Sequence, residues 1–128
     1  YVSGSIGGNE GAISASGDIV ADGDIVAFNA SDERLKDNVK VIEGALDKID
    51  GINGYEFDWN DEQTAYKGHD IGVVAQEIEA VLPEVVTTRG DGYKAVKYEK
   101  IVPLLIESIK ELQKKVEDIE KNCDCLNK

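Results

Sequence analysis

Ser31 and Lys36 are the two side chains of this sequence whose types and spacing most directly offer catalysis. A serine hydroxyl is a weak nucleophile until a neighbouring base takes its proton, and a lysine amine whose pKa is lowered by burial can be that base. Five positions separate the two, so the amine reaches the hydroxyl only if the chain kinks at Ser31 or if the helix begins at Glu33. Ser31 also suits a plainer role. Followed by Asp32 and Glu33, it has the make-up of a helix N-cap with an acidic first turn. Ser-x-x-x-x-Lys alone does not choose between nucleophile and cap.

Other chemical patterns carry less. Asp58-Trp59-Asn60-Asp61-Glu62 is rich in carboxylates. A calcium loop of the EF-hand type needs Gly at its sixth position and Glu at its twelfth, where this chain has Gln63 and His69. No metal or other cofactor is expected. Asn29-Ala30-Ser31 matches a glycosylation sequon, a pattern frequent by chance. Arg89-Gly90-Asp91-Gly92 is explained by turn geometry between two strands. Cys123 and Cys125 are too close for an ordinary intrachain disulfide and lack the second pair of a zinc site, so they read as reduced cytosolic thiols or a detail of the tail.

The chain has 128 residues, with 14 Lys+Arg against 26 Asp+Glu and a formal net charge of −12. That length allows one small domain, or a smaller one with an extended appendage. The acidic balance repels phosphate backbones and anionic lipid, which argues against nucleic-acid and membrane-surface binding. A soluble chain is expected, with neither a membrane span nor a targeting segment.

Composition places a boundary near residue 30. Residues 1–30 hold six of the 13 Gly and no Lys or Arg, whereas all 14 basic residues fall in 31–128. Within the first part Gly11–Ser16, Gly17–Asp22 and Gly23–Phe28 share the pattern Gly-x-Ile-x-Ala-x. Alternating Ile and Ala make one apolar strand face, and Gly at each start permits the turn of a repeated β-coil. Three coils cannot bury that face alone, so the reading is an intertwined β-helix of several chains, with a flexible Gly-rich linker as the alternative.

At the other end Val102, Leu105, Ile109, Leu112, Val116, Ile119, Cys123 and Leu126 alternate at spacings of three and four, a heptad seam over about 102–126. β-Branched a positions with mostly Leu at d suit a dimer, while Ile119 and the neighbouring Ile101, Leu104 and Ile106 widen the face toward a trimer. The first turns also suit packing on the chain's own domain. Between these ends, Glu33 to Asp50 predicts a helix interrupted near Gly44 and stopped by Gly51. Gly54–Trp59 predicts a strand, Ile71–Val74 a short buried strand, Ala75–Val81 a helix ended by Pro83, and Val85–Thr88 with Tyr93–Tyr98 a hairpin. The fold class is therefore a small α+β domain followed by a coiled-coil helix.

Four ordered motifs resemble the S74 peptidase family, the C-terminal intramolecular chaperone domain of bacteriophage tail spikes, tail fibres and neck appendages. They are Ser31-Asp32-Glu33-Arg34-Leu35-Lys36-Asp37-Asn38-Val39; Gly54-Tyr55 with Phe57 and Trp59; His69 to Ile78 with Leu82-Pro83-Glu84; and Tyr98 with Ile101 to Leu105. The resemblance runs from Ser31 to about Leu112. It implies a homotrimer that nucleates folding of the triple β-helix preceding it, then releases itself by cutting the bond before its first Ser. On that reading residues 1–30 end the β-helical stem and 31–128 are the chaperone and autoprotease. Ser31 is the nucleophile, Lys36 the general base, Ala30-Ser31 the scissile bond, and His69 and Gln76 have supporting roles. The implied partners are copies of the chain itself and the upstream fibre segment, with synthesis in the bacterial host cytoplasm and the mature fibre in the virion tail. A trimerisation module of a fibrous protein that does not cleave is the alternative.

Overall fold

The structure is a computed structural model that describes residues 15 and 17–123. The chain divides after Asn38 into two units.

In the first unit the described residues form no helix or strand apart from one 3-10 turn at Glu33–Leu35. Ile19, Val20, Ile25, Val26 and Phe28 are all exposed, Phe28 to 94%. In one copy the hexads have no ladder to join, and strand backbone needs a partner for its N–H and C=O groups. The first hexad, Gly11–Ser16, lies outside the described residues except for Ala15.

The long helix expected from Glu33 does not form. Lys36 is already extended (φ −124°, ψ 134°), and Asn38 takes a left-handed φ of 56°. β-Branched Val39, Val41 and Ile42 then favour extended backbone over helix. Helix α1 is confined to Ala45–Asp50, with Gly51 at its C-cap as expected.

The second unit runs β1 (Tyr55–Asp58), β2 (His69–Gly72), α2 (Ala75–Val81), a 3-10 turn Pro83–Val85, β3 (Val86–Thr88), β4 (Lys94–Val96), a 3-10 turn Tyr98–Ile101 and α3 (Val102–Cys123). It is a small α+β domain with a long C-terminal helix. β1 pairs antiparallel with β2, Tyr55 opposite Gly72 and Asp58 opposite His69. This register puts Tyr55, Phe57, Asp70 and Gly72 on one face, and Glu56, Asp58, His69 and Ile71 on the other. The expected buried strand Ile71–Val74 is thus displaced toward His69 and leaves Ile71 exposed, because a two-stranded ribbon covers only one of its faces. The hairpin β3–β4 forms as expected, with Val86 opposite Val96. Its turn is closed by Arg89 N–H to Tyr93 O at 2.8 Å and by Asp91 Oδ1, which accepts from Tyr93 N–H at 3.0 Å.

Ala45, Ile78, Leu82, Val85 and Leu104 form the buried core, drawn from α1, α2, the turn after it and α3. On α3 the inward stripe is Leu104, Ser108 and Glu111, at the 4-3 spacing of one helix face, preceded by Ile101 of the 3-10 turn that leads into it. The heptad positions Leu105, Ile109, Leu112, Val116 and Ile119 form a second stripe one residue further round, all exposed. The first turns of α3 do pack on their own domain, but through the neighbouring stripe rather than the seam. The end of the seam at Leu126, and Cys125, lie outside the described residues.

α1 begins at Gly44, whose left-handed φ of 64° suits glycine but which has no side chain to cap the helix. Glu111 supplies the cap from α3: its Oε1 accepts from Ala45 N–H at 3.0 Å and its Oε2 from Leu46 N–H at 2.9 Å. The bond from Leu46, then that from Ala45, hold the Glu111 carboxyl below the usual carboxylate range. A depressed carboxylate contributes stability above its ordinary pKa of about 4.3 and loses it as pH falls through the folded value. Glu111→Gln should therefore melt at a lower temperature than the parent at pH 7. The gap should close on acidification below that range, as followed by circular dichroism.

Candidate active site

Ser31 and Lys36 are brought together. Lys36 Nζ lies 2.9 Å from Ser31 Oγ and donates to it. A single tight turn makes the contact possible: Leu35 N–H donates to Asp32 O and Lys36 N–H to Glu33 O, both at 3.0 Å. That turn folds the chain back within four residues and returns the long lysine side chain over the residue that precedes it.

The N-cap of this turn is Asp32, not Ser31. Asp32 Oδ1 accepts from Arg34 N–H at 2.9 Å, leaving the Ser31 hydroxyl to Lys36. A carboxylate takes the capping role more strongly than a hydroxyl because its bond to the backbone is charge-assisted. Both Ser31 and Lys36 are exposed in the single chain, so the burial expected around the lysine amine is not supplied by the surrounding residues of this copy.

His69 and Gln76 belong to the second unit. His69 is at the start of β2, its Nδ1 3.1 Å from Asp58 Oδ1 across the ribbon and its Nε2 3.7 Å from Glu56 Oε1. Gln76 is exposed in the first turn of α2. Its neighbour Glu77, which the sequence reading did not single out, is more engaged: Tyr55 Oη donates to Glu77 Oε1 at 2.5 Å and Asn53 N–H to Oε2 at 3.3 Å. The Glu77 bond raises the Tyr55 phenol above its usual range. Alternation of aromatic and polar residues at 54–59 signalled the strand but not which acid would hold its first tyrosine.

The carboxylate-rich segment after β1 is a hairpin loop. Trp59 N–H donates to Gly68 O at 3.0 Å, Tyr66 stacks on Trp59 with centroids 4.8 Å apart, and Gln63 Nε2 bridges the Asn60 and Tyr66 carbonyls. Trp59 Nε1 donates to Asp70 at 3.0 Å, and the bond from Ile71 N–H, then that from Trp59, lowers the Asp70 carboxyl. Among the described residues no group of three His, Cys, Asp or Glu side chains is arranged to hold a metal ion. No helix among them is long and apolar enough to cross a membrane.

The turn that pairs Ser31 with Lys36 opens a segment, residues 31–87, that matches the family model Peptidase_S74, chaperone of endosialidase. This segment is similar to the S74 peptidase family. The S74 segment begins at Ser31 itself and ends within β3. Similar curated proteins are the long tail fiber protein Gp37 of Enterobacteria phage K3, 36% identical over 99 residues, and that of Enterobacteria phage T2, also 36% over 99. The Gp37 of Salmonella phage S16 is 32% identical over 99 residues. The first two alignments take in 70% of this chain and the third 72%, yet 8%, 7% and 13% of those fibre proteins respectively. The chain thus spans a small fraction of the length of the curated relatives it matches.

Within the S74 segment Gly72 sits where no larger residue fits. A Cβ there would lie 2.8 Å from Tyr98 Oη and 3.4 Å from the Phe57 ring, and Tyr98 Oη accepts from Val73 N–H at 3.2 Å. Gly72→Ala should destabilise the fold by about 1–3 kcal/mol, the usual cost of overpacking. Thermal and urea unfolding would measure the loss.

Proposed function

We propose that this chain is the assembly chaperone at the end of a phage tail fibre. Residues 31–128 trimerise, hold three copies of the preceding β-helical stem (1–30) in register, and then cut themselves free between Ala30 and Ser31. The contact of Lys36 Nζ with Ser31 Oγ at 2.9 Å is the observation that carries the cleavage reading. The S74 family match and the fibre-protein relatives carry the chaperone reading.

The chemistry needs no diffusing substrate, so positioning supplies much of the rate. With the lysine neutral, the hydrogen bond reverses and the Ser31 hydroxyl donates to Nζ. Oγ attacks the Ala30 carbonyl carbon and its proton passes to Lys36. The tetrahedral intermediate collapses by breaking the C–N bond, and Lys36 returns the proton to the Ser31 nitrogen, which leaves as a free amine. The resulting Ala30 ester on Ser31 Oγ is hydrolysed by one water that Lys36 deprotonates. The products are a carboxylate at Ala30 and a free amine at Ser31, with one water consumed.

Chaperoning answers a folding problem. Pairing strands between separate chains must overcome chain entropy before any contact rewards it. Three stems held in register avoid most of that cost. Removal of the template after folding leaves a fibre that is held kinetically. The heptad stripe of α3 is the trimerising surface in this reading, and packing of copies around Lys36 supplies the desolvation that one copy lacks.

Ser31→Ala should give a folded, full-length chain, and Lys36→Arg should also stay uncut because a guanidinium remains protonated. Intact mass should place the new N-terminus of the parent at Ser31. Wild-type cleavage by the arginine variant, or a cut at another bond, would overturn the assignment. In a separate test, Ile109→Asp with Leu112→Asp puts charge into the seam. Sedimentation should then show loss of the trimer, and cleavage should fall with it.

A further inference from the structure

We propose that Arg34 is a positioning residue for the Ser31–Lys36 pair, clasping the carboxylate of Asp32 so that it stays off the lysine amine. This rests on the reading of Lys36 as the base. Asp32 follows Ser31 directly and is the acid nearest in sequence to the hydroxyl that Lys36 contacts. A free carboxylate there would pair with the ammonium and hold the lysine in its charged form, which cannot accept a proton.

The structure occupies that carboxylate completely. Arg34 reaches it three times, by backbone N–H to Oδ1 at 2.9 Å, by Nε to Oδ1 at 3.1 Å and by Nη2 to Oδ2 at 2.8 Å. Both oxygens are engaged in the two-point geometry that a guanidinium offers and an ammonium does not. The Arg34 side-chain bond, then its backbone bond, lowers the Asp32 carboxyl, as expected of an anion with its own dedicated partner. Lys36 meanwhile donates to Ser31. Among the described residues it makes no ion pair with Asp32, nor with Glu33 or Asp37, the other acids of this segment. Asp32 and Arg34 are both exposed, so their pairing contributes little to stability. What it does is local: it decides which partner the amine finds.

The clasp also helps to hold the turn, and the pH dependence of self-cleavage separates that structural part from the electrostatic one. The full chain and its Arg34→Gln, Asp32→Asn, and Asp32→Asn/Arg34→Gln variants would be made by cell-free synthesis. The rate at which the fragment beginning at Ser31 appears would be followed across pH by mass spectrometry. Arg34→Gln should move the midpoint of the pH–rate curve upward by about one unit, about tenfold in rate well below the midpoint, with the high-pH plateau kept. The double variant should return the midpoint to the parent value, since asparagine still caps the turn but carries no charge. Asp32→Asn alone should show no upward displacement. A lowered plateau at unchanged midpoint in Arg34→Gln, or a double variant displaced as far as the single one, would overturn the proposal and leave Arg34 a structural brace. A parent chain that never cuts before Ser31 would overturn the lysine-base reading, and this proposal with it; a parent that cuts beside an unshifted Arg34→Gln variant would overturn this proposal alone.

Discussion

The seating of α3 on α1 is the contact on which the second unit depends. Leu104 is fully buried and shares a core with Ala45, Ile78, Leu82 and Val85, while Glu111 reaches across two turns further on to cap the helix that Ala45 begins. One contact is apolar and non-directional and the other is charged and directional, so together they set both how closely α3 lies and at what register. The six residues of α1 are too few to form an isolated helix, and a cap from another element stands in for the side chain that Gly44 lacks. The two short ribbons are likewise too small to be stable without something to pack against. Tyr98, in the turn that leads into α3, meets the first ribbon through Val73 and Gly72.

The same helix carries two stripes one residue apart, about 100° around the axis, an inward one of Leu104, Ser108 and Glu111 and an outward apolar one. The inward stripe is covered within the chain, where the buried Ser108 Oγ has no hydrogen-bond partner among the described residues. The outward one, from Leu105 to Ile119, is left in water together with the β-branched residues of the hexads. Among the described residues five apolar side chains are buried, a small core. Apolar surface at both ends, each with a strict period, is the pattern expected of a chain that completes its packing with further copies, and it underlies the proposed trimer.

The Ser31–Lys36 contact, by contrast, depends on almost nothing distant. It is built within six residues by one 3-10 turn, one capping carboxylate and one long side chain. Such a device can be carried at the edge of a domain without a preformed pocket, which suits an attack on the bond immediately before it. It also leaves the pair solvated in a single copy, so the proposed chemistry depends on assembly for its environment while needing none for its geometry.

Much of this was legible from residues alone, where the determining interactions are short-range. Gly51 as a helix stop, Ala75–Val81 as a helix, the hairpin around Arg89–Tyr93 and the long helix from Val102 follow from spacing, turn chemistry and heptad period. The Ser31–Lys36 contact was legible only conditionally: five residues are within reach of one turn if the turn begins at Glu33, and it was the resemblance to the S74 family, not the spacing, that singled the pair out. Tertiary structure decided what no local pattern encodes. Residues 36–44 had helical spacing but formed no helix, because Asn38 turned left-handed and the β-branched run followed. The cap of α1 came from Glu111, 66 positions away from Ala45. Ile71 became exposed because its ribbon has one covered face. Period and turn residues report the chain's own geometry; partners for a lone N–H, a carboxylate or a strand face are chosen by whatever the folded chain brings near, and only the three-dimensional arrangement contains that information.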